Sequence, residues 1–320
     1  MGDTRLAATL RLYNNSQLIV THTLTKCISF TVTKERYTPF HKASFTFIAD
    51  EETDTSVIRE VSILYGDRTL FYGRAEELSF SHTPGKMVIT GRASGFTKGL
   101  STCAAEPGII FNCTIAQLFS RFPYMAHIGY TATEDVMNYI FVKENDTLWT
   151  SIVNLAQKLY DEYPFIRGTN MVTIKKENLS SFDYRDETIV NRFSGENFTG
   201  AVSAIHMKGT EDTYDYHYTD AEVTARGIIR ERYIPLDRQW LNDPETGLRH
   251  KMYFSRRGGI YRGFVYAGHR NEELCDRVRF SYGGSAYWAE ADKIVIKGDA
   301  KGVFTTIVNY DDGYAKISDV

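Results

Sequence analysis

The sequence predicts an α+β protein that is predominantly β, with two antiparallel β-barrel domains flanking a small α/β domain. Three observations lead to this prediction. Short strand patterns separated by turn residues fill the first 96 residues, one strong helical pattern lies near the middle, and strand patterns return beyond Thr188. Runs of strands with no helix between them are typical of barrels and sandwiches.

The first domain, residues 1–96, is predicted to be a β-barrel. Its strand candidates are rich in β-branched and aromatic residues, and they cover 6–13, 28–33, 43–48, 57–65, 69–72, 75–81 and 87–90. The dipeptides Gly66-Asp67 and Pro84-Gly85 are turn signals between neighbouring strands. Gly73 is interpreted as a break between two strands.

The second domain, residues 97–186, is predicted to be α/β with two helices and a hairpin. Thr114 and Gln117 match a capping box, in which each side chain bonds an open backbone amide at the start of a helix. The short apolar face that follows consists of Ile115, Leu118, Phe119 and Phe122. Pro123 is expected to end this helix.

Residues 146–161 give the strongest helical signal in the chain, with Asp146 as the predicted N-cap. Apolar side chains recur three and four residues apart on one broad face. The expected core of the middle domain on this face consists of Leu148, Trp149, Ile152, Leu155 and Leu159. Pro164 closes the helix, and residues 164–174 are predicted to form a β-hairpin against that face.

The third domain, residues 187–320, is predicted to be a second β-barrel with an inserted or elaborated region at about 212–275. Its strand candidates cover 201–209, 293–297 and 303–308, with an aromatic-rich candidate at 214–218. The pattern of residues 226–270 gives no assignment, and 242–247 is interpreted as an exposed turn. Residues 272–279 fit either a short helix or a strand.

Composition excludes several classes of protein. A formal net charge of −3 gives no basic field, so specific nucleic-acid binding is not expected. No apolar run approaches the roughly 18 residues that a membrane span needs. Four scattered cysteines, Cys27, Cys103, Cys113 and Cys275, form no Cys-x-x-Cys pair, so reduced and buried thiols are expected. No secretion signal is seen at the start.

A search for catalytic groups finds no convincing constellation. The paired acids Glu51/Glu52, Glu134/Asp135 and Asp311/Asp312 are neighbours in sequence, which places them apart on a strand or in solvated turns. His206, His217 and Asp220 could assemble a metal or acid–base site, but their spacing matches no metal-binding pattern. Gly283-Gly284-Ser285 is not a nucleophile elbow. We therefore predict no enzyme, no metal and no cofactor.

One cluster of arginine and tyrosine is a candidate interface patch. It consists of Arg226, Arg230, Arg232, Tyr233, Tyr253, Arg256, Arg257, Tyr261 and Arg262. Both residue types are enriched where proteins meet. A solvated β surface fits the same residues, and nucleic-acid contact is a weaker alternative.

The order of these motifs resembles a known family. The run Val61 to Gly73, with its Leu-Phe-Tyr-Gly hairpin, is followed by the strand candidates 75–81 and 87–91. The middle domain then adds a short helix at Thr114 and an Asn-Asp-Thr-Leu-Trp segment that ends at Trp149. Together, over residues 5–176, these features are similar to phage baseplate hub proteins. That family includes late-control D proteins, Mu-like tail hub proteins and the N-terminal half of type VI secretion spike proteins.

The resemblance implies a structural protein of a phage tail or a phage-derived contractile injection system. It implies a homotrimer whose two barrels per chain form a pseudo-six-fold collar between a hexameric tail tube and a trimeric spike. Other baseplate proteins would be further partners, and assembly would take place in the bacterial cytoplasm. The alternatives from other classes are a receptor-binding or adhesin module and a tail-associated cell-wall hydrolase.

Overall fold

The computed structural model describes residues 8–14, 20–50, 53, 58–121, 127–282 and 285–311. Several residues used in the predictions lie outside these ranges, namely Leu6, Glu51, Glu52, Val57, Phe122, Pro123, Gly283, Gly284 and Asp312. The protein is predominantly β with a minority of helix, as predicted. Among the residues described, no helix is long and apolar enough to cross a membrane.

Seven strands lie in the described residues of the N-terminal part. They are β1 (Ala8–Asn14), β2 (Val20–Leu24), β3 (Lys26–Glu35), β4 (Lys42–Ala49), β5 (Ile58–Tyr65), β6 (Arg68–Thr83) and β7 (Lys86–Gly95). The interpretation of Gly73 as a break is wrong, because β6 runs through it. A Cβ at Gly73 would lie 2.2 Å from the Ser94 carbonyl oxygen of β7. The glycine is therefore required by the close approach of the two strands.

Where the structure describes it, the middle part contains three helices. Its elements are α1 (Lys98–Thr102), β8 (Gly108–Cys113), α2 (Ile115–Ser120), β9 (Gly129–Tyr130), β10 (Met137–Val142), α3 (Leu148–Tyr160), β11 (Phe165–Arg167) and β12 (Met171–Thr173). The capping box of Thr114 and Gln117 is confirmed. The predicted cap of α3 is wrong by one residue: Thr147 accepts from the Thr150 amide, whereas the Asp146 carboxylate accepts from the Lys143 amide. Asp146 therefore shapes the preceding turn.

In its described residues, the C-terminal part alternates strands with two α-helices. Its elements are β13 (Ser181–Asp183), β14 (Ile189–Glu196), β15 (Ala204–Met207), β16 (Tyr216–Thr219), α4 (Ala221–Ala225), β17 (Glu231–Ile234), α5 (Pro244–Ser255), β18 (Ile260–Ala267), β19 (Arg277–Tyr282), β20 (Ser285–Glu290), β21 (Lys293–Asp299) and β22 (Gly302–Tyr310). The two closing strands are confirmed. The prediction of an exposed turn at 242–247 is wrong, because Asp243 caps α5 and Pro244 occupies the first turn of that helix.

One curled sheet of eleven strands dominates the fold, in the order β14-β18-β22-β21-β3-β4-β7-β6-β5-β1-β2. The antiparallel pair β3–β21 joins the strands of the two predicted barrels. Strand β15 lies instead in a separate sheet with β16 and β17. The expectation that residues 201–209 belong with the closing strands is therefore wrong, and β14 and β18 take that position. The boundaries of the three domains stay predictions.

Among the described residues, three hydrophobic clusters hold the elements together. The largest fills the curled sheet and includes side chains of β19 and β20. The second surrounds α3, where Leu148, Ile152 and Leu155 are fully buried, Trp149 is 6% exposed and Leu159 lies partly buried at the edge. The third is small and packs α5 against the β16-β15-β17 sheet. Apolar burial in these clusters is the main favourable contribution to folding.

Candidate assembly surfaces

The two ends of the eleven-stranded sheet come from opposite parts of the chain. Strand β2 forms one end and β14 the other, and in the described residues each pairs with a single neighbouring strand. Unpaired backbone amides and carbonyls at a sheet edge are a template for another strand. The edge strand β14 also carries an exposed apolar side chain, Val190, which is 62% exposed. Both ends are therefore candidate contact surfaces.

A buried ion pair spans the seam between β3 and β21. The Arg36 guanidinium, which follows β3, donates to Asp292 Oδ1 at 3.0 Å and to Glu290 Oε2 at 3.0 Å. The side chains of Arg36 and Asp292 are 3% and 2% exposed. Asp292 Oδ2 also accepts from the Tyr310 amide at 2.7 Å, which ties in β22. Three strands from both parts of the chain are thus held at one point.

Further ion pairs connect the middle part to this seam. Lys176 pairs with Glu290 at 2.8 Å, and Arg167 pairs with Asp276 at 3.2 Å. The Gly168 amide, in the turn between β11 and β12, donates to Glu273 Oε2 at 3.2 Å. The hairpin is therefore fixed to the C-terminal strands by charge as well as by apolar packing.

A buried carboxylate lies inside the curled sheet. Glu272 accepts hydrogen bonds from the hydroxyls of Tyr184 and Tyr266, and its Oε2 lies 3.1 Å from His269 Nδ1. Burial alone would raise the pKa of Glu272, but the bonds from His269, Tyr184 and Tyr266 outweigh it and hold the pKa at about 2. Burial, together with the Glu272 charge, raises the phenolic pKa of Tyr184. The Glu272 carboxylate thus has three side-chain partners within the chain, and we interpret the cluster as one that stabilises the fold.

The Glu272 cluster predicts a specific acid sensitivity. Because its folded pKa of about 2 lies below the ordinary value of 4.5, ionised Glu272 stabilises the fold above pH 4.5. That contribution is lost as the pH falls from 4.5 towards 2. We expect Glu272→Gln to lower the free energy of unfolding at pH 7. We also expect it to flatten the dependence of that free energy on pH in the acid range, by a slope that corresponds to at most about one bound proton. Urea titrations at several pH values test this, and an unchanged slope would contradict it.

The predicted arginine and tyrosine patch is divided by the structure. Arg226 and Arg256 are bound within the chain: Arg226 lies 2.6 Å from Glu196 and Arg256 lies 2.9 Å from Asp220. Glu222 lies within 3.5 Å of both guanidinium groups. These two arginines connect α4 to β14 and to the end of α5, so they serve the fold.

Other members of the patch lie at separate places. Arg230 donates to the carbonyls of Thr199 and Ala201, and Tyr253 lies under the Arg256 guanidinium. Arg262 lies over the Tyr287 ring. Arg232 and Tyr233 are exposed on β17. The nine residues are thus spread over several surfaces.

Arg257 and Tyr261 line a groove of about 650 Å³ between the end of α5 and the main sheet. Its other aromatic and charged walls are Glu35, Tyr37, Phe193, Lys293, Lys297 and Tyr310. The Tyr310 hydroxyl donates to Glu35 at 2.8 Å, and Lys293 lies 3.5 Å from the same carboxylate. The groove combines aromatic faces with an excess of positive charge, which suits protein contacts.

The candidate catalytic residues do not converge on a site. Glu134 and Asp135 are exposed, and Asp135 accepts from the Tyr160 hydroxyl. Asp220 caps α4 and binds Arg256, whereas His206 and His217 contact each other across β15 and β16. In the ranges that the structure describes, no group of three or more His, Cys, Asp or Glu side chains could hold a metal ion.

The residues that organise the seam were missed from the sequence. Arg36 and Asp292 are 256 positions apart, and Glu272 is bonded by tyrosines from β18 and from the segment after β13. Their sequence surroundings give no signal of burial, because Arg36 follows Lys34 and Glu35, and Glu272 lies between Arg270 and Glu273, as on an exposed surface. The partner of each could not have been inferred either.

The fold is shared with solved tail proteins, one of them from a prophage. A tail protein from Neisseria meningitidis MC58 has a TM-score of 0.71 at 12% identity, over 96% of this chain and 97% of that one. The 43 kDa tail protein of prophage MuSo2 from Shewanella oneidensis has a TM-score of 0.71 at 11% identity, over 95% and 97%. No protein-family model and no curated protein matches the sequence.

A type VI secretion component has a more distant likeness. The E. coli c3393 protein, described as similar to the T4 bacteriophage tail proteins gp27 and gp5, has a TM-score of 0.53 at 8% identity, over 88% of this chain and 73% of that one. The predicted resemblance to the baseplate hub family is thus confirmed as a likeness of fold. It extends over nearly the whole chain, beyond residues 5–176.

Proposed function

We propose that this chain is a structural hub protein of a phage tail baseplate or a phage-derived contractile injection system. Three copies form a ring, and each chain contributes two similar β units, one from β1 to β7 and one from the C-terminal strands. The ring connects a hexameric tail tube to a trimeric spike and contacts other baseplate proteins. It has no catalytic role.

The observation that carries this proposal is the eleven-stranded sheet with one end in each part of the chain. A tube of six subunits meets a spike of three only through an adaptor that presents six similar surfaces from three chains. Two β units per chain supply that number, and closed cyclic symmetry leaves no contact surface unused. The fold shared with tail proteins supports the same arrangement.

We assign the contact between copies to the two ends of the sheet. In a head-to-tail ring, β2 of one copy lies beside β14 of the next, which covers both edges at once. The exposed Val190 side chain lies in this contact. The aromatic and basic groove that contains Arg257 and Tyr261 is adjacent, since Phe193 of β14 lines it. That part of the predicted patch belongs to the contact.

Like and opposite charges introduced on the two edge strands test this assignment. Thr23 of β2 is exposed, as is Val190 of β14. We expect Val190→Lys with Thr23→Lys to prevent ring formation, because like charges then meet at every contact. Val190→Lys with Thr23→Glu should restore it. The measurement is copy number by chemical crosslinking in particles that assemble with the axial partners.

Val136→Lys is the matched control, because Val136 is 50% exposed but lies in the middle part, before β10. Rings that persist in the Lys/Lys variant, or a failure of the Lys/Glu pair to restore them, would contradict the assignment.

An elongated particle in negative stain would favour an adhesin. Release of muropeptides from peptidoglycan, abolished by a single Asp, Glu or His substitution, would favour a hydrolase.

A further inference from the structure

The outer face of the small sheet β16-β15-β17 carries three rings in one row. The strands are in register at His217, His206 and Tyr233, so these side chains project together. Alternate residues of the same strands, including Ile205 and Met207, face the opposite way and pack on α5. The row lies on the solvent side, where Tyr233 is 60% exposed.

The two imidazoles of this row converge. His206 Nδ1 lies 2.6 Å from His217 Nδ1, and the ring centroids are 4.9 Å apart. A contact this short between two ring nitrogens requires that one carries a proton and the other presents a lone pair. Imidazole nitrogens directed at one point are also the arrangement in which two histidines bind one transition-metal ion.

A carboxylate lies on the far side of His206. Glu231 Oε2 is 3.4 Å from His206 Nε2 and accepts from the Tyr233 hydroxyl at 3.2 Å. Histidines that bind metals almost always direct their second ring nitrogen to a carboxylate, a carbonyl or a water, which fixes the tautomer. His206 Nε2 has no hydrogen-bond partner among the described residues, and Glu231 is the carboxylate that lies nearest to supply one. A bond to Glu231 would place the proton on Nε2 and leave the Nδ1 lone pair of His206 towards His217. The Tyr233 ring, stacked 4.6 Å from His206, limits its rotation.

We propose that His206 and His217 chelate one divalent transition-metal ion through their Nδ1 atoms, with Glu231 as the positioning residue for His206. Zn²⁺, Ni²⁺ and Cu²⁺ suit imidazole ligands, whereas Mg²⁺ prefers oxygen. The chain supplies two ligands, and the remaining coordination positions are open to water or to a partner side chain. This site is independent of the proposed assembly.

Only a small movement separates the present geometry from a bound ion. Two nitrogens on one tetrahedral Zn²⁺ lie about 3.3 Å apart, which follows from Zn–N distances of 2.0–2.1 Å. Rotation of the exposed His217 side chain provides the opening from 2.6 Å. The proton on His217 Nδ1 passes through solvent to Nε2, the other neutral tautomer, which frees the Nδ1 lone pair for the ion. The turn between β15 and β16 carries Glu211, Asp212 and Asp215, of which Asp212 is paired with Lys208 at 2.6 Å. The remaining negative charge of Glu211 and Asp215 attracts a cation to this end of the sheet.

Calorimetric titration of the tag-free full chain with Ni²⁺ and Zn²⁺ tests the proposal, with Mg²⁺ as the control ion. We expect one ion per chain, no comparable binding of Mg²⁺, and at least about tenfold weaker binding in His217→Ala and in His206→Ala. Glu231→Gln keeps both ligands and should weaken binding by about 10–100-fold. His82→Ala, which removes an exposed histidine at the β6–β7 turn, should bind as the unaltered chain does.

Thermal unfolding gives a second readout. A chelated ion links β15 to β16, so Ni²⁺ in excess should raise the Tm of the unaltered chain and of His82→Ala, but not of His217→Ala. Equal affinity in His217→Ala and the unaltered chain, or equal binding of Mg²⁺, would overturn the proposal. Unchanged affinity in Glu231→Gln would remove Glu231 from it.

Discussion

Replacing Arg36 by leucine should destabilise the folded chain by roughly 3–5 kcal/mol. The substitution removes the cation that neutralises Asp292, a carboxylate only 2% exposed, and leaves that charge buried without its ion-pair partner. It also removes the hydrogen bond to Glu290. Because Asp292 joins β3, β21 and β22, the loss falls on the seam between the two parts of the sheet. Urea titration followed by tyrosine and tryptophan fluorescence measures it.

Two further variants distinguish the effect of a buried unpaired charge from the effect of losing any arginine ion pair. Arg92→Leu breaks an exposed ion pair with Glu77, whose side chains are 76% and 65% exposed, and should cost at most about 1 kcal/mol. Arg36→Leu combined with Asp292→Asn removes the uncompensated charge and should cost less than the sum of the two single variants. A loss below about 1 kcal/mol in Arg36→Leu, or full additivity, would show that the pair does not stabilise the seam.

Leu155→Ala should cost roughly 2–5 kcal/mol. Leu155 is fully buried in the cluster around α3, together with Ile166 and Val172 of the hairpin. Truncation removes apolar contacts and leaves a cavity between rigid elements, because α3 and the hairpin are both fixed by other contacts. Denaturant titration gives the change in free energy of unfolding.

Leu159→Ala is the matched control, since it deletes the same atoms from the same helix where the side chain is only partly buried. It should cost clearly less than Leu155→Ala. A loss under about 0.5 kcal/mol in Leu155→Ala would show that this face of α3 does not form the core of the middle part.

Local patterns predicted the elements whose signals lie within a few residues. The apolar spacing of α3 and the Thr114–Gln117 capping box are properties of short segments, and both appear in the structure. Helix α5 was missed although Asp243 and Pro244 form a typical start signal. Gly247 suggested a turn, but it is buried, and a Cβ there would lie 2.5 Å from Trp240 Cγ. Glycine is therefore required at this position because Trp240 packs directly against the helix backbone.

Long-range pairing could not be predicted from the same patterns. The antiparallel contact of β3 with β21 unites strands more than 250 positions apart, and alternation of side chains does not identify a partner strand. The candidate arginine and tyrosine patch was also predicted only in part. Its composition indicated an interface, but Arg226 and Arg256 bind carboxylates within the chain while Arg257 and Tyr261 line the groove.

The most direct test of the proposed hub is a structure of the assembled particle by cryo-electron microscopy. We expect three copies in one ring, with six similar β surfaces around the axis and β2 of each copy beside β14 of the next. A copy number other than three per ring, or a ring in which neighbouring chains meet without either end of the eleven-stranded sheet, would contradict the account.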